Sequence, residues 1–194
     1  MTNLSAVVFA VVLVCWLAFV STLLVRKRPP VAADQKRDPS SITGVVLQAL
    51  SYPILWVVWR PLFTSFLPFS KAVSAVLEIA AAAAAVASVV LVIAALKTLG
   101  KEWSITARVV TGHKLATEGP YRLVRHPIYT GMLGMLLATG IAVSYWPALL
   151  IALVIFLIGT IIRIRSEERL LRETFGAEFE AYTQRVPALL PGMY

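Results

Sequence analysis

HKLATEGPYRLVRHPIYTG, residues 113–131, is a polar, turn-rich stretch between two apolar blocks, each long enough to cross or nearly cross a bilayer. It sets Tyr121, Arg122, Arg125, His126 and Tyr129 beside Pro120, Pro127, Gly119 and Gly131. A loop that only joins membrane helices needs no such chemistry. Titratable and aromatic groups held by rigid turns at the edge of hydrocarbon point to a functional site.

The flanking blocks decide the fold class. The 194 residues are 59% hydrophobic and 14% charged, whereas soluble domains run at about half and a quarter. Five apolar blocks follow one another: Asn3–Val25, Thr43–Trp59, Ala72–Leu96, Ile128–Val143 and Ala148–Ile162. They predict an all-α, multi-pass membrane protein with five transmembrane helices and a C-terminal amphipathic segment. The first block exceeds a signal-peptide core and stops at Arg26-Lys27-Arg28, so it reads as a membrane helix. Pro53 is expected to kink the second. The Ala80–Ala85 run gives the third a smooth surface for close helix approach. Glu78, near an end of that block, is expected to reach water. Gly131, Gly134 and Ala138 fall along one face of the short fourth block. Ser144-Tyr145-Trp146-Pro147 joins blocks four and five as a tight hairpin, with its aromatics at the interface. Cys15, the single cysteine, lies inside an apolar block and reads as a buried thiol.

The net charge of +8 does not imply nucleic acid, because the basic residues sit just outside the apolar runs. Sixteen of the 18 Lys and Arg residues fall in 26–42, 97–125 and 163–194. With five crossings these segments share a side, which the positive-inside tendency makes cytoplasmic, with the N-terminus outside. The 113–131 loop and the tail then face each other. In the tail, Leu171, Phe175, Phe179 and Tyr182 form one helical stripe, weakened at Gly176 and ended by Pro187 and Pro191.

Arg163 and Glu167, four apart, share a helix face where the last block ends. An ordinary ion pair at a helix exit has the same spacing, and a solvated face would also carry the adjacent Glu168. His113 and His126 are the only histidines and have no cysteine cluster beside them, so a zinc site is not expected. There is neither a P-loop nor a nucleophile elbow.

GPYRLVRHPIYTG, then a helical hairpin, Glu167-Glu168 and FGAEFEAYTQRVPALLP together resemble the isoprenylcysteine carboxyl methyltransferase family, within a wider group of phospholipid methyltransferases. Leu99-Gly100, Trp103-Ser104 and His113-Lys114-Leu115 extend the likeness to roughly residues 97–191. The resemblance implies a membrane methyltransferase that uses S-adenosylmethionine, releases S-adenosylhomocysteine and has no Rossmann fold. It makes residues 1–194 one membrane domain, with 1–71 an N-terminal helix pair and 72–194 the cofactor-binding core. By the same resemblance His113 and Leu115 contact the adenosine end, and Tyr121, His126, Pro127, Tyr129 and Gly131 line the pocket. Glu167 and Glu168 hold polar groups of the cofactor. Arg163 binds a substrate carboxylate or orients Glu167. The methyl acceptor is expected to be a prenylated cysteine entering sideways from the bilayer, with room beside the glycine-and-alanine face of the fourth helix. A lipid-amine methyltransferase, a membrane reductase akin to sterol reductases and a non-enzymatic scaffold are the rival readings.

Overall fold

The computed structural model describes residues 2–24, 34–61, 66, 71–100, 103–110 and 114–192. In chain order its elements are α1 (Thr2–Leu24), β1 (Asp34–Arg37), α2 (Ser40–Val57), α3 (Lys71–Leu99), β2 (Arg108–Val110), a 3-10 turn (Gly119–Arg122), α4 (Pro127–Val143), α5 (Trp146–Phe175) and α6 (Ala177–Thr183). Each expected apolar block is a helix. Prolines start the last two long ones: Pro127 at the head of α4 and Pro147 in the first turn of α5, where a missing N–H costs nothing. Gly176, at φ +51°, breaks the tail helix into α5 and α6. The tail stripe does not lie free, since Phe179 and Tyr182 pack with Leu115, Leu171, Phe175 and Val186.

Among the described residues, four helices are long and apolar enough to cross a membrane: α1, α2, α3 and α5. The expected five thus become four long helices and a shorter apolar one, α4, of 17 residues and about 25 Å. Its position explains how it can be short, because α4 packs against α1, α2, α3 and α5. α1 lies on α3 and α4, whereas α2 lies chiefly on α5. Ala81 and Ala85 do provide the close surface expected of the alanine run, packing with Val12, Cys15 and Phe19 of α1.

Two expectations need correction. Glu78 does not reach water: it is 7% exposed, and Ser5 Oγ of α1 lies 3.0 Å from both carboxylate oxygens. The small-residue face of α4 leaves no space beside it. A Cβ on Gly134 would run into Ser88 Oγ of α3, and Ala138 sits in the core that α3 shares with α1. Glycine on a membrane helix marks close approach, and here the approaching body is another helix.

Two features gather the connections at opposite ends of the bundle. At one, β1 and β2 pair antiparallel, a small sheet that the apolar pattern did not foretell. At the other, Arg60 donates from its backbone N–H to Val143 O (2.8 Å) and from Nη2 to Ile141 O (2.6 Å). These bonds cap carbonyls that the end of α4 would otherwise leave unpaired.

The α2 and α5 helices cross with their backbones close together. A Cβ on Gly44 would stand 2.5 Å from Arg163 Cγ and 2.6 Å from Gly159 O, and the backbone oxygen has no freedom to retreat. Gly44→Ala is therefore expected to destabilise the protein in detergent micelles by about 1–3 kcal/mol, as overpacked cores do. Reversible unfolding in mixed micelles checks it, and unchanged stability would mean that the helices can move apart freely.

Candidate functional site

The α5 helix turns Arg163 and Glu167 to one face and Glu168 to the next. Opposite them, the Pro120 turn and Pro127 hold His126 just before α4, with Tyr129 in that helix's first turn. The imidazole bridges the acidic pair. Its Nδ1 is 3.5 Å from Glu167 Oε2 and its Nε2 is 3.1 Å from Glu168 Oε1. Arg125 Nε donates to the same Glu168 oxygen at 2.9 Å, and the Tyr129 hydroxyl donates to Glu167 Oε1. The His126 and Tyr129 rings stack at 5.5 Å with an interplanar angle of 11°.

The tail is strapped over this cluster by backbone bonds. Arg125 N–H donates to Pro187 O (2.8 Å) and His126 N–H to Ala188 O (3.0 Å). Thr130 Oγ1 donates to Leu189 O (2.6 Å) and Tyr182 OH to Tyr121 O (2.7 Å). Arg125 Nη1 adds bonds to Thr183 O and Val186 O. Loop and tail therefore form one unit.

Arg163 is 7% exposed and clamped from several sides. Its Nη1 donates to Gln48 Oε1 of α2 (2.9 Å), its Nη2 to Ile105 O (2.6 Å), and Glu167 Oε1 stands 3.7 Å away. The guanidinium carbon lies 4.7 Å from the centre of the Tyr129 ring, a cation–π contact. The buried Nε–H has no hydrogen-bond partner among the described residues.

Arg163 and Glu167 lie on the wall of a cavity of about 430 Å³, together with Tyr121, His126 and Tyr129. Toward the tail its wall is apolar, from Leu115, Leu171 and Phe179; toward the bundle it runs between Leu23 of α1 and Val45, Ala49 and Tyr52 of α2. Trp16 of α1 meets Tyr52 edge-on at 5.0 Å, joining the two helices there.

Of the residues singled out in the sequence, Leu115, Tyr121, His126, Tyr129, Arg163 and Glu167 come together around this space. Glu168 stands behind His126, held by Arg125, and is not on the wall. Pro127 starts α4, and Gly131 faces α3, where a Cβ would come 2.5 Å from Val92 Cγ2. His113 lies outside the described residues. Sequence reasoning missed Gln48, Tyr52 and the 103–107 segment. A signal for Gln48 existed, since an amide inside an apolar membrane block needs buried partners.

Burial pushes the His126 imidazole down, but hydrogen bonds and charge from Glu167 and Glu168 win and hold its pKa above 6.5. A raised folded-state pKa contributes stability that is complete below the unfolded value and is lost as pH rises through the folded one. The stability difference between the protein and His126→Gln should therefore be largest between about pH 5 and 6.5, where the carboxylates stay ionised, and shrink at higher pH. Melting curves in micelles across pH check this, and a difference that grows with pH would contradict it.

The phospholipid methyltransferase family model matches residues 76–178. An Arabidopsis thaliana protein-S-isoprenylcysteine O-methyltransferase B is 35% identical over 100 residues, 50% of this chain and 50% of its own. The cobalt-zinc-cadmium resistance protein CzcN of Cupriavidus metallidurans is 37% identical over 101 residues, 50% of this chain and 45% of its own. Methanethiol S-methyltransferase 2 of Bradyrhizobium diazoefficiens is 33% identical over 91 residues, 44% of this chain and 32% of its own. The chain thus spans about half the length or less of these curated relatives. The matched family region contains the His126 turn, α4 and the Arg163–Glu167–Glu168 face of α5. By that match the chain belongs to the phospholipid methyltransferase family, with isoprenylcysteine methyltransferases among its relatives.

Proposed function

We propose that this protein is a membrane methyltransferase that uses S-adenosylmethionine to esterify the C-terminal carboxylate of an isoprenylated cysteine. The observation that carries the reading is the buried guanidinium of Arg163, whose side chain lines the cavity between α1 and α2 and whose Nε–H has no hydrogen-bond partner among the described residues. A buried donor on a charged group calls for an acceptor, and guanidinium matches carboxylate in a bidentate fork. The Arabidopsis relative, a protein-S-isoprenylcysteine O-methyltransferase by name, agrees with such an acceptor.

The donor set fits the cofactor. The Glu167 carboxylate, 26% exposed at the side chain, offers acceptors suited to ribose hydroxyls or an ammonium group. Leu115, Leu171 and Phe179 give an apolar wall suited to a purine. Glu168 acts at one remove, fixing His126 and Arg125. When bound, S-adenosylmethionine supplies a methyl group on a cationic sulfur: the acceptor oxygen forms a C–O bond as the C–S bond breaks, its electron pair staying on sulfur, to leave an ester and S-adenosylhomocysteine.

The chain's own part is alignment and exclusion of water. A carboxylate with a reference pKa of about 3.3–3.7 is already ionised at neutral pH. No side chain has to take a proton from it, so Arg163 serves as orienting cation. The strapped tail and the segment around Ile105 shield the polar end. The lipid chain of the acceptor remains between α1 and α2. In the membrane this reading has five crossings, the N-terminus outside, and the site, loop and tail on the cytoplasmic side, where the basic segments lie.

Purified protein with labelled S-adenosylmethionine and a farnesylcysteine analogue should yield a base-labile ester. Arg163→Leu should lower kcat/KM by about 100-fold or more, with S-adenosylhomocysteine affinity kept within about threefold. A base-stable methylamine formed from a phospholipid, with no ester, would overturn the acceptor; a protein that binds no S-adenosylhomocysteine would overturn the enzyme class.

A further inference from the structure

We infer that Gln48 of α2 is a positioning residue that makes the site selective for an anionic methyl acceptor, acting through Arg163. The inference rests on the carboxylate reading above and extends it to a residue outside the family-matched region, since α2 spans Ser40–Val57 and the match begins at residue 76.

Gln48 is 1% exposed and bonded at both ends of its amide across the helix crossing. Its Oε1 accepts from Arg163 Nη1 at 2.9 Å, and its Nε2 donates to Thr160 Oγ1 at 2.7 Å. The guanidinium can only donate, so it fixes which end of the amide faces it; the Thr160 hydroxyl accepts from the other end, and the amide so anchored holds the guanidinium in its rotation. The Gly44–Gly159 crossing makes this reach possible. A Cβ on Gly159 would stand 2.8 Å from Gly44 O and 3.0 Å from Gln48 N, so only a bare backbone lets α2 come near enough.

The second half of the argument is charge. Gln48 and Ile105 O are neutral acceptors, so among the described residues the clamp on Arg163 includes one carboxylate, Glu167 at 3.7 Å. Glu167 is itself shared with His126, and Glu168 is matched by Arg125 and His126. Among the described residues of this cluster, three basic side chains (Arg125, His126 and Arg163) thus meet two acids (Glu167 and Glu168). The guanidinium charge of Arg163 is only partly matched at 3.7 Å, which leaves it for a substrate anion to satisfy. An acid at position 48 would use up that charge with no change in side-chain shape. A neutral amide holds the guanidinium in place and leaves its charge available, which an apolar residue or a carboxylate at this position cannot both do.

The test compares two ligands that differ only in charge, the farnesylcysteine analogue as free acid and as methyl ester. Their binding to protein in mixed micelles is measured without cofactor, alongside S-adenosylhomocysteine affinity. Wild type should prefer the acid. Gln48→Glu should weaken acid binding by about tenfold to a hundredfold, the scale of disturbed buried charge pairs, and leave ester and S-adenosylhomocysteine binding unchanged. Gln48→Met and Thr160→Val, close in shape and uncharged, should reduce the acid preference to a smaller degree and raise the acceptor KM more than they lower kcat. These two variants decide the matter where Gln48→Glu does not fold. Acid preference retained in every folded variant, or equal loss of acid and ester, would overturn the role of Gln48 alone. A wild type that binds acid and ester equally would overturn the carboxylate reading itself, and this inference with it.

Discussion

The structure depends on the bracket that His126 makes between Glu167 and Glu168. Two adjacent carboxylates facing a protein interior are costly unless each is paired and hydrogen-bonded. Here one imidazole reaches both, with Arg125 and Tyr129 completing their shells. The same residues carry the tail, because Arg125 and His126 offer their backbone N–H groups to Pro187 and Ala188. Segments about 60 positions apart in sequence are thus held by a few polar contacts whose loss would leave buried charge. That asymmetry makes the cluster a strong organiser: forming it brings a modest net gain, whereas breaking it is expensive.

A second constraint sets the depth of the site. Arg163 lies one turn of α5 further into the bundle than Glu167, where α2 crosses on Gly44 and Gly159. Its partners come from three parts of the chain: Gln48 from α2, Ile105 from the connection after α3, and Glu167 from α5 itself. The aromatic face of Tyr129 covers the guanidinium, and Tyr129 in turn leans on His126. Acidic bracket and buried cation therefore meet at Glu167 in one network, so substitutions within it should not simply add.

Much of this was legible because polar residues are scarce in the chain. In so apolar a sequence, a dense polar loop and an acidic pair beyond the last apolar block have few places to go except toward each other. Leu115, Tyr121, His126, Tyr129, Arg163 and Glu167 do surround one cavity. What failed had a common cause: the sequence shows that a residue is small or polar, and its neighbour decides what that means. Gly131 and Gly134 could equally have faced lipid or a helix, and α3 fills the space. Glu78 could have reached water, and Ser5 of α1 covers it. Gln48 went unread in the sequence, and its partners, Thr160 and Arg163, are identified only by the crossing of α2 and α5. The pairing of Asp34–Arg37 with Arg108–Val110 likewise joins two segments with no apolar rhythm to betray them.

Helix length explains why chemistry of this kind belongs at this height. The 30 residues of α5 make a rod of about 45 Å, whereas the hydrocarbon of a bilayer is about 30 Å thick. With Trp146 and Tyr145 at one interface, where indole and phenol rings settle, hydrocarbon ends after about 20 residues of helix. That level falls between Arg163 and Glu168. On the proposed topology the buried guanidinium lies just inside the apolar boundary and the acidic bracket just outside it. The proposed lipid-borne anion would then meet the cation without its chain leaving the membrane, and the proposed nucleoside cofactor would meet the carboxylates without entering it. On that reading each group is placed where its own desolvation costs least, and the tail strap covers the loop that carries His126.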